Sequence, residues 1–357
     1  MDRAPTLNPV VAEDLDRILA NDLPWERLRG KTVLVSGAGG FLPAYLVETL
    51  AALNRRQFDI KVLALVRTPQ KAIERLGHVL ADGVSLIEQD VSQPLRADLP
   101  GAHFVIHAAS QASPRFYGSD PVGTLKANTL GTAYLLDYAK QHGTESFLYF
   151  SSGEVYGNPI DGARHLTETD FGYIDPATVR ACYSESKRIG ETMCVSWAKQ
   201  YGIAAKIVRP FHTYGPGMSL TDGRVFADFV ADIVARRDIL LKSDGLAIRP
   251  FCYLADATVA FFAVLLSGES GMAYNVGNPE AEVSVGDLAE LLVGLYPQLG
   301  LKVVRAAMPA PGSGYLQSAV NRSTPDVTRM RALGWQPSIG LDEGFRRTVS
   351  SFDGQLG

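Results

Sequence analysis

The sequence predicts an α/β protein built on a doubly wound parallel sheet, with a smaller α/β domain following it. Three observations carry that expectation. Short runs rich in Val, Ile and Leu alternate with helical segments from residue 31 to 210. The runs are apolar throughout, as in strands covered on both faces. The first of them ends in a glycine-rich turn that opens directly into a helical pattern. Strands separated by helices pair in parallel through right-handed crossovers.

Residues 12–29 read as an amphipathic helix broken near Pro24, which makes 1–29 a lead-in. KTVLVSG (31–37) is the first strand, and LPAYLVETLAALN has the apolar period of its helix. IKVLALV (60–66), VSLIEQD (84–90) and HFVIHAAS (103–110) follow as buried strands. PVGTLKANTLGTAYLLDYAKQHG (121–143) reads as one long helix stopped by glycine. SFLYFSS (146–152) and IAAKIVRP (203–210) complete a domain over 30–210. Beyond it lie a helix near 223–237, a strand IRPFCYL, an apolar helix at 257–267 and a strand AYNVGN. A helix at 284–298, a strand KVVRA and a last helix near 341–352 follow. Residues 211–357 therefore read as a smaller domain packed on the first, with some chain crossing back.

The 357 residues are 46% hydrophobic and carry a net charge of −4. That is enough apolar material for one large unit or two intimate domains. No long basic run is present, which argues against nucleic acid as a partner. Cys182, Cys194 and Cys252 are spaced for neither a zinc site nor a disulfide framework, and the six histidines are scattered, with His103 and His107 set within a strand run. No metal is expected. The N-terminal stretch carries acids where a secretory signal needs a basic start, and ATVAFFAVLLSG (257–268) is too short to span a bilayer. The expectation is a cytoplasmic protein without a membrane partner.

SGAGGFLPAYL places Gly37 and Gly40 between the first strand and its helix. This is the context of a dinucleotide turn at a helix N-terminus, hence a Rossmann-type domain. Pro43 stands where a third glycine is usual, and proline is tolerated in a first helical turn. The second strand ends LALVRTP, with Val66 at the place of the acid that holds an NAD ribose. Arg67 follows, and a guanidinium suits a 2′-phosphate, so NADP stays open beside NAD; the alternative is a solvated surface arginine. YSESK places Tyr183 and Lys187 four residues apart, on one helical face. An ammonium stabilises a nearby phenolate, so Lys187 is expected to lower the Tyr183 pKa toward that of a working base. The strand SFLYFSS ends on Ser152, and Glu154 follows where a turn needs no acid.

Together GAGGFLP, HAAS, SSGEVYG and YSESK are similar to the motifs of extended short-chain dehydrogenase/reductases of the nucleotide-sugar epimerase/dehydratase group, over about residues 31–340. ASPRFYGSDPVGTLKANTLGT, VRACYSESKRIGETMC, HTYGPGMSLTDGRV and NRSTPDVTRMRALGWQP most resemble the UDP-glucuronate decarboxylases. The resemblance implies NAD as cofactor, a nucleoside-diphosphate sugar as substrate, bound by the second domain, and a homodimer through the helices near 120–142 and 180–201. It implies Ser152, Tyr183 and Lys187 as a catalytic triad, with Asn128 supporting the lysine through water. Gly37, Gly40, Phe41, Leu42, Arg67, Asp90, Val91, Ala108, Ala109, Ser110, Asn128 and Pro210 would hold the cofactor, with Tyr183 and Lys187. Ser113, Arg115, His212, Arg224, Arg249 and Arg322 would hold the substrate: Arg115, in the loop after ASP, as the partner of a carboxylate, and Arg224, Arg249 and Arg322 on phosphate, which arginine suits, with an ordinary ion pair as the alternative for each of these three.

The chemistry implied is oxidation at C4. Tyr183 would take the C4 hydroxyl proton while hydride leaves for the nicotinamide, and Ser152 would steady the same oxygen. A C6 carboxylate then lies β to a ketone and can leave as carbon dioxide, and the C5 proton becomes acidic. In the resembling decarboxylases and 4,6-dehydratases a glutamate stands at the place of Glu154, which suits proton transfer at C5 or C6. Gly153 departs from both patterns, which have serine and aspartate there. His212 and Gly217 also depart, from asparagine and arginine. UDP-glucuronate-type decarboxylation is the expected function. A 4-epimerase, a 4,6-dehydratase, an NADP alcohol dehydrogenase and a non-catalytic cofactor-binding module are the alternatives.

Overall fold

The computed structural model describes residues 6–159, 165–306 and 322–352. Its centre is a seven-stranded sheet of β1 (Thr32–Ser36), β2 (Lys61–Val66), β3 (Val84–Glu88), β4 (Phe104–His107), β5 (Ser146–Phe150), β6 (Ala205–Pro210) and β7 (Ala273–Val276). Every pairing is parallel, in the order β7-β6-β5-β4-β1-β2-β3. Chain order reverses between β1 and β4, the switch point that opens a crevice at the carboxyl ends of the strands.

Alternate strand residues serve opposite layers. Leu34, Leu65, Val105, Phe147 and Ile207 cluster with Leu135, Leu136 and Cys194. Val33, Val35, Ile106, Leu148 and Phe150 cluster with Leu46, Leu50, Phe261 and Phe262. Both faces are dry, which is why the strands show no polar alternation in sequence. The exception is β3, read as buried: it is the sheet's edge and is only partly covered.

The lead-in helix is Pro9–Leu19, earlier than the sequence suggested, because Asn8 caps it by accepting from the Val10 N–H at 2.9 Å. A 3₁₀ turn, Trp25–Leu28, then enters β1. The segment 121–143 is two helices, Pro121–Asn128 and Leu130–His142, not one. At the joint, Thr129 Oγ1 donates to the Leu125 carbonyl at 2.7 Å and Thr132 Oγ1 to the Asn128 carbonyl at 2.6 Å. Such back-bonding bends a helix.

The chain after residue 211 contributes to both halves. The apolar helix Leu254–Ser267 packs on β5 and β6, and AYNV is β7 itself. Strands His212–Tyr214, Ile248–Tyr253 and Glu282–Ser284 form a separate small sheet, and Ile239–Leu241, unread in sequence, pairs with Val303–Arg305. Among the described residues no helix is long and apolar enough to cross a membrane.

Candidate active site

A cavity of about 1040 Å³ opens over the ends of β1, β4, β5 and β6. Gly37, Gly40, Phe41, Leu42, Ala108, Ala109, Ser110 and Pro210 line it, with Ser152, Glu154, Tyr183 and Lys187. Arg115, His212, Arg224 and Arg249 line it as well.

Gly37 has φ +69°, and a Cβ there would lie 2.6 Å from Ala109 Cα. Only glycine lets the turn after β1 lie against the end of β4. Gly40 caps the helix Phe41–Arg55 without a side-chain hydrogen bond, which leaves that helix's first N–H groups for a ligand. Ser110 Oγ is buried and has no partner among the described residues. These features fit a dinucleotide. Behind them, Ser36 Oγ accepts from the Ala109 N–H at 3.2 Å and meets His107 Nδ1 at 2.8 Å. His107 Nε2 meets Thr132 Oγ1 at 3.1 Å. Burial, with the Lys187 charge, pulls His107 down to about 3, so it serves as a neutral spacer.

Past β5 the chain enters a 3₁₀ turn, Gly153–Tyr156, capped by Ser152, whose Oγ accepts from the Glu154 N–H at 3.2 Å. The helix Ala181–Tyr201 presents Tyr183 and Lys187 one turn apart, both buried. Ser152 and Tyr183 line the same cavity. The expected lowering of the Tyr183 pKa is not what this geometry gives. Burial and the nearby Glu154 carboxylate push the phenol up to about 12, against Ser152 and Arg224. Lys187 donates to the Phe150 carbonyl at 2.6 Å, its nitrogen 5.8 Å from the Tyr183 ring centroid. Burial pulls Lys187 itself down to about 7, opposed by Glu191. Asn128 Nδ2 donates to Ser186 Oγ at 3.0 Å, which donates to the Tyr183 carbonyl at 2.9 Å, while Asn128 Oδ1 is buried without a partner.

Sequence reasoning missed Arg180 and Tyr117. Arg180 pairs with Glu154 at 3.1 Å, and the Tyr117 ring stacks on Tyr183 with centroids 5.0 Å apart. A cation at the start of a helix was the one signal for Arg180; nothing local pointed to Tyr117.

At the substrate end, Ser113 Oγ donates to the Asp222 carbonyl at 2.7 Å, and Arg115 donates to the Thr221 carbonyl. Arg224 pairs with Asp222 at 3.0 Å and donates to the Ala112 carbonyl at 3.1 Å. Arg249 Nη1 donates to the Ile248 carbonyl at 2.8 Å. Burial and the charges of Arg249 and Arg224 pull His212 down to about 3, and its Nδ1 has no partner among the described residues. Arg322 is turned to Glu282, and its neighbour Ser323 lines the cavity instead. Arg67 is exposed, Asp90 accepts from the Ser92 N–H at 2.9 Å and Val91 is buried; with Asn128 they stand outside the cavity lining. Beside Gly217 lies an arginine from elsewhere: Arg75 Nη1 donates to the Gly217 carbonyl at 2.8 Å.

A family model described as the NAD dependent epimerase/dehydratase family matches residues 33–277. The chain belongs to that family. Curated relatives include UDP-glucuronic acid decarboxylase 6 of Arabidopsis thaliana, 32% identical over 327 residues, covering 91% of this chain and 90% of the relative. UDP-glucuronic acid decarboxylase 1 of Xenopus tropicalis is 32% identical over 330 residues, 91% of this chain and 73% of the relative. Among solved structures, the UDP-glucose 4-epimerase of Thermotoga maritima with UDP-glucose has a TM-score of 0.76 at 23% identity, covering 91% of this chain and 100% of that one. The dTDP-glucose 4,6-dehydratase of Bacillus anthracis in complex with NAD has a TM-score of 0.70 at 18% identity, covering 90% and 96%. The fold is thus that of the extended short-chain dehydrogenase/reductases, and the family's cofactor is NAD.

Proposed function

We propose that this epimerase/dehydratase family member oxidises C4 of a nucleoside-diphosphate sugar and then acts at C5 or C6, with decarboxylation of a UDP-glucuronate-type substrate as the first outcome. The observation that carries the reading is the convergence of Ser152, Tyr183 and Lys187 at the end of β5, with Glu154 in the same cavity. When bound, NAD takes a hydride from C4 and returns it. Tyr183 accepts the C4 hydroxyl proton and Ser152 donates to the same oxygen, with Lys187 beside them in the cavity. The C5–C6 bond then breaks, its electron pair moves into the C4 carbonyl, carbon dioxide leaves, and C5 takes a proton.

Glu154 separates this reading from a plain 4-epimerase, which has no step at C5. Gly153 supplies neither the serine of the decarboxylases nor the aspartate of the dehydratases, so it favours neither of the two. A Cβ at 153 would lie 3.1 Å from the Phe211 ring, so that ring would have to give way to any side chain. Arg115, Arg224 and Arg249 are the cations for the diphosphate. The names of the curated relatives support the choice of substrate.

Incubation with a panel of nucleotide sugars, read by mass spectrometry, tests the reading. Loss of the mass of carbon dioxide from UDP-glucuronate is expected. Loss of water would mean dehydration, and unchanged mass at a new retention time would mean epimerisation. No conversion of any nucleotide hexose or hexuronate would overturn the proposal. A homodimer through the helices 121–142 and 181–201 is part of it, supported by the exposed Val122, Leu125, Leu130, Ile189 and Val195 on them. A monomer in light scattering would refute that part.

A further inference from the structure

Nothing in the C4 chemistry requires Arg180. It occupies the N-cap position of the helix Ala181–Tyr201, in αR conformation and without a side-chain cap. That position favours Ser, Thr, Asp or Asn, and the positive end of a helix disfavours a cation. Burial also works against the Arg180 charge, and the charge and hydrogen bonds of Glu154 outweigh it. What the side chain touches therefore explains its place. Nη1 donates to Glu154 Oε2 at 3.1 Å and Nη2 to Oε1 at 3.4 Å, a two-pronged grip that fixes the plane of the carboxylate. Ser184 Oγ donates to the same Oε2 at 3.2 Å. The guanidinium carbon lies 5.6 Å from the centroid of Tyr117, the ring stacked on Tyr183. All five side chains line the cavity.

We infer that Arg180 is a positioning residue for the step after C4 oxidation: it aims the Glu154 carboxylate at the C5–C6 end of the sugar and receives a C6 carboxylate on its remaining N–H groups. The inference rests on the function proposed above. A guanidinium has five donors, and Glu154 takes one from each Nη. Without a cation between them, Glu154 and a C6 carboxylate would repel; with Arg180 there, two anions share one wall. When carbon dioxide leaves, the electron pair of the C5–C6 bond enters the C4 carbonyl as an enolate. The proton that C5 then gains comes from water by way of the Glu154 carboxyl, so no outside reagent is needed.

The test runs wild-type protein, Arg180→Gln, Arg180→Lys and Glu154→Gln with NAD and UDP-glucuronate in heavy water. It reads the absorbance of reduced cofactor for C4 oxidation, carbon dioxide release, and deuterium at C5 of the product. Arg180→Gln still develops the reduced-cofactor absorbance, loses carbon dioxide release and C5 labelling by about 100-fold, and raises KM about tenfold. Glu154→Gln loses the same late steps without the rise in KM. Arg180→Lys recovers KM more than kcat, because an ammonium supplies charge without the fork. Loss of all three signals together in Arg180→Gln means a structural ion pair and overturns the inference; so does an Arg180→Gln protein with all three intact. Wild-type protein that oxidises no nucleotide sugar overturns the proposed function, and this inference with it. If the wild type dehydrates or epimerises its sugar, C5 labelling of that product decides.

Discussion

Two polar clusters in this molecule differ in how their buried atoms are satisfied. Asp14 is fully buried, and both its oxygens are used. Oδ2 accepts from Tyr45 at 3.0 Å and Tyr253 at 2.7 Å, and Oδ1 accepts from Arg347 at 2.7 and 3.1 Å. That cluster ties the lead-in helix, the helix of the glycine turn, the strand Ile248–Tyr253 and the last helix, Leu341–Ser350, to one carboxylate. Among the described residues, the crevice keeps Ser110 Oγ and His212 Nδ1 buried and unpaired, and Asn128 Oδ1 behind it is unpaired too. A polar group out of water without a partner costs about 1–3 kcal/mol. The Asp14 cluster is closed, whereas the crevice leaves groups that a ligand could satisfy.

The largest effects should fall on opposite properties. Tyr183→Phe removes the group that exchanges the C4 proton, so kcat is expected to fall about 10³-fold or more, with an unchanged unfolding midpoint. Asp14→Ala removes the buried carboxylate that Tyr45, Tyr253 and Arg347 share, leaving Arg347 only Glu13, the Val10 carbonyl and Tyr253, and is expected to cost about 3–5 kcal/mol of stability, measured by denaturant titration. The protein that stays folded should keep its kcat. An Asp14 variant with normal stability and lost activity would break the contrast. Gly37→Ala comes next: its Cβ meets backbone, so NAD affinity is expected to fall about tenfold, or 1.4 kcal/mol, by calorimetric titration.

The contrast also explains what could be read from the sequence. Strands β1 to β6 were legible because each is a short apolar run between helical periods, a signal contained within one window. Their covering on both faces hid only which residues face which layer. AYNV was legible as a strand but not as a member of the main sheet, because its connection runs through the second half of the chain. The helix break at Thr129 depends on two threonine hydroxyls turning back on carbonyls, which apolar periodicity does not register. Gly37, Ser152, Tyr183 and Lys187 stood at fixed offsets within local motifs, and the structure gathers them around one cavity. Tyr117 reaches Tyr183 across sequence, and no pattern around it announces a stacking partner. Asp14 looked like one more acid on an amphipathic helix, since its partners lie as far away as residue 347.

The smallest effect concerns the energy held in the open cluster. Lys187 has a folded pKa of about 7 against 10.5 for the free group. Between those values the unfolded chain holds more protons than the native one, so stability rises with pH across that window. The contribution is fully present above about 10.5 and is lost as pH falls to about 7. Lys206, pulled down to about 8 by burial, shares the upper part of the window but belongs to the scaffold, where it donates to the Leu265 carbonyl at 2.7 Å. The buried His107 and His212, both near 3 against 6.5, act in the same direction at lower pH. Lys187→Met is therefore expected to flatten the lower part of the rise and to stabilise the protein at neutral pH by about 1–2 kcal/mol, while abolishing turnover. Lys206→Met should make the upper part shallower, since Lys187 still contributes there, and leave turnover in place. Denaturant titrations at steps from pH 7 to 10 would separate the two. A Lys187→Met protein that is less stable at pH 7 would place that lysine with Asp14 among the closed, scaffold groups, and the division between the clusters would fail at its central residue.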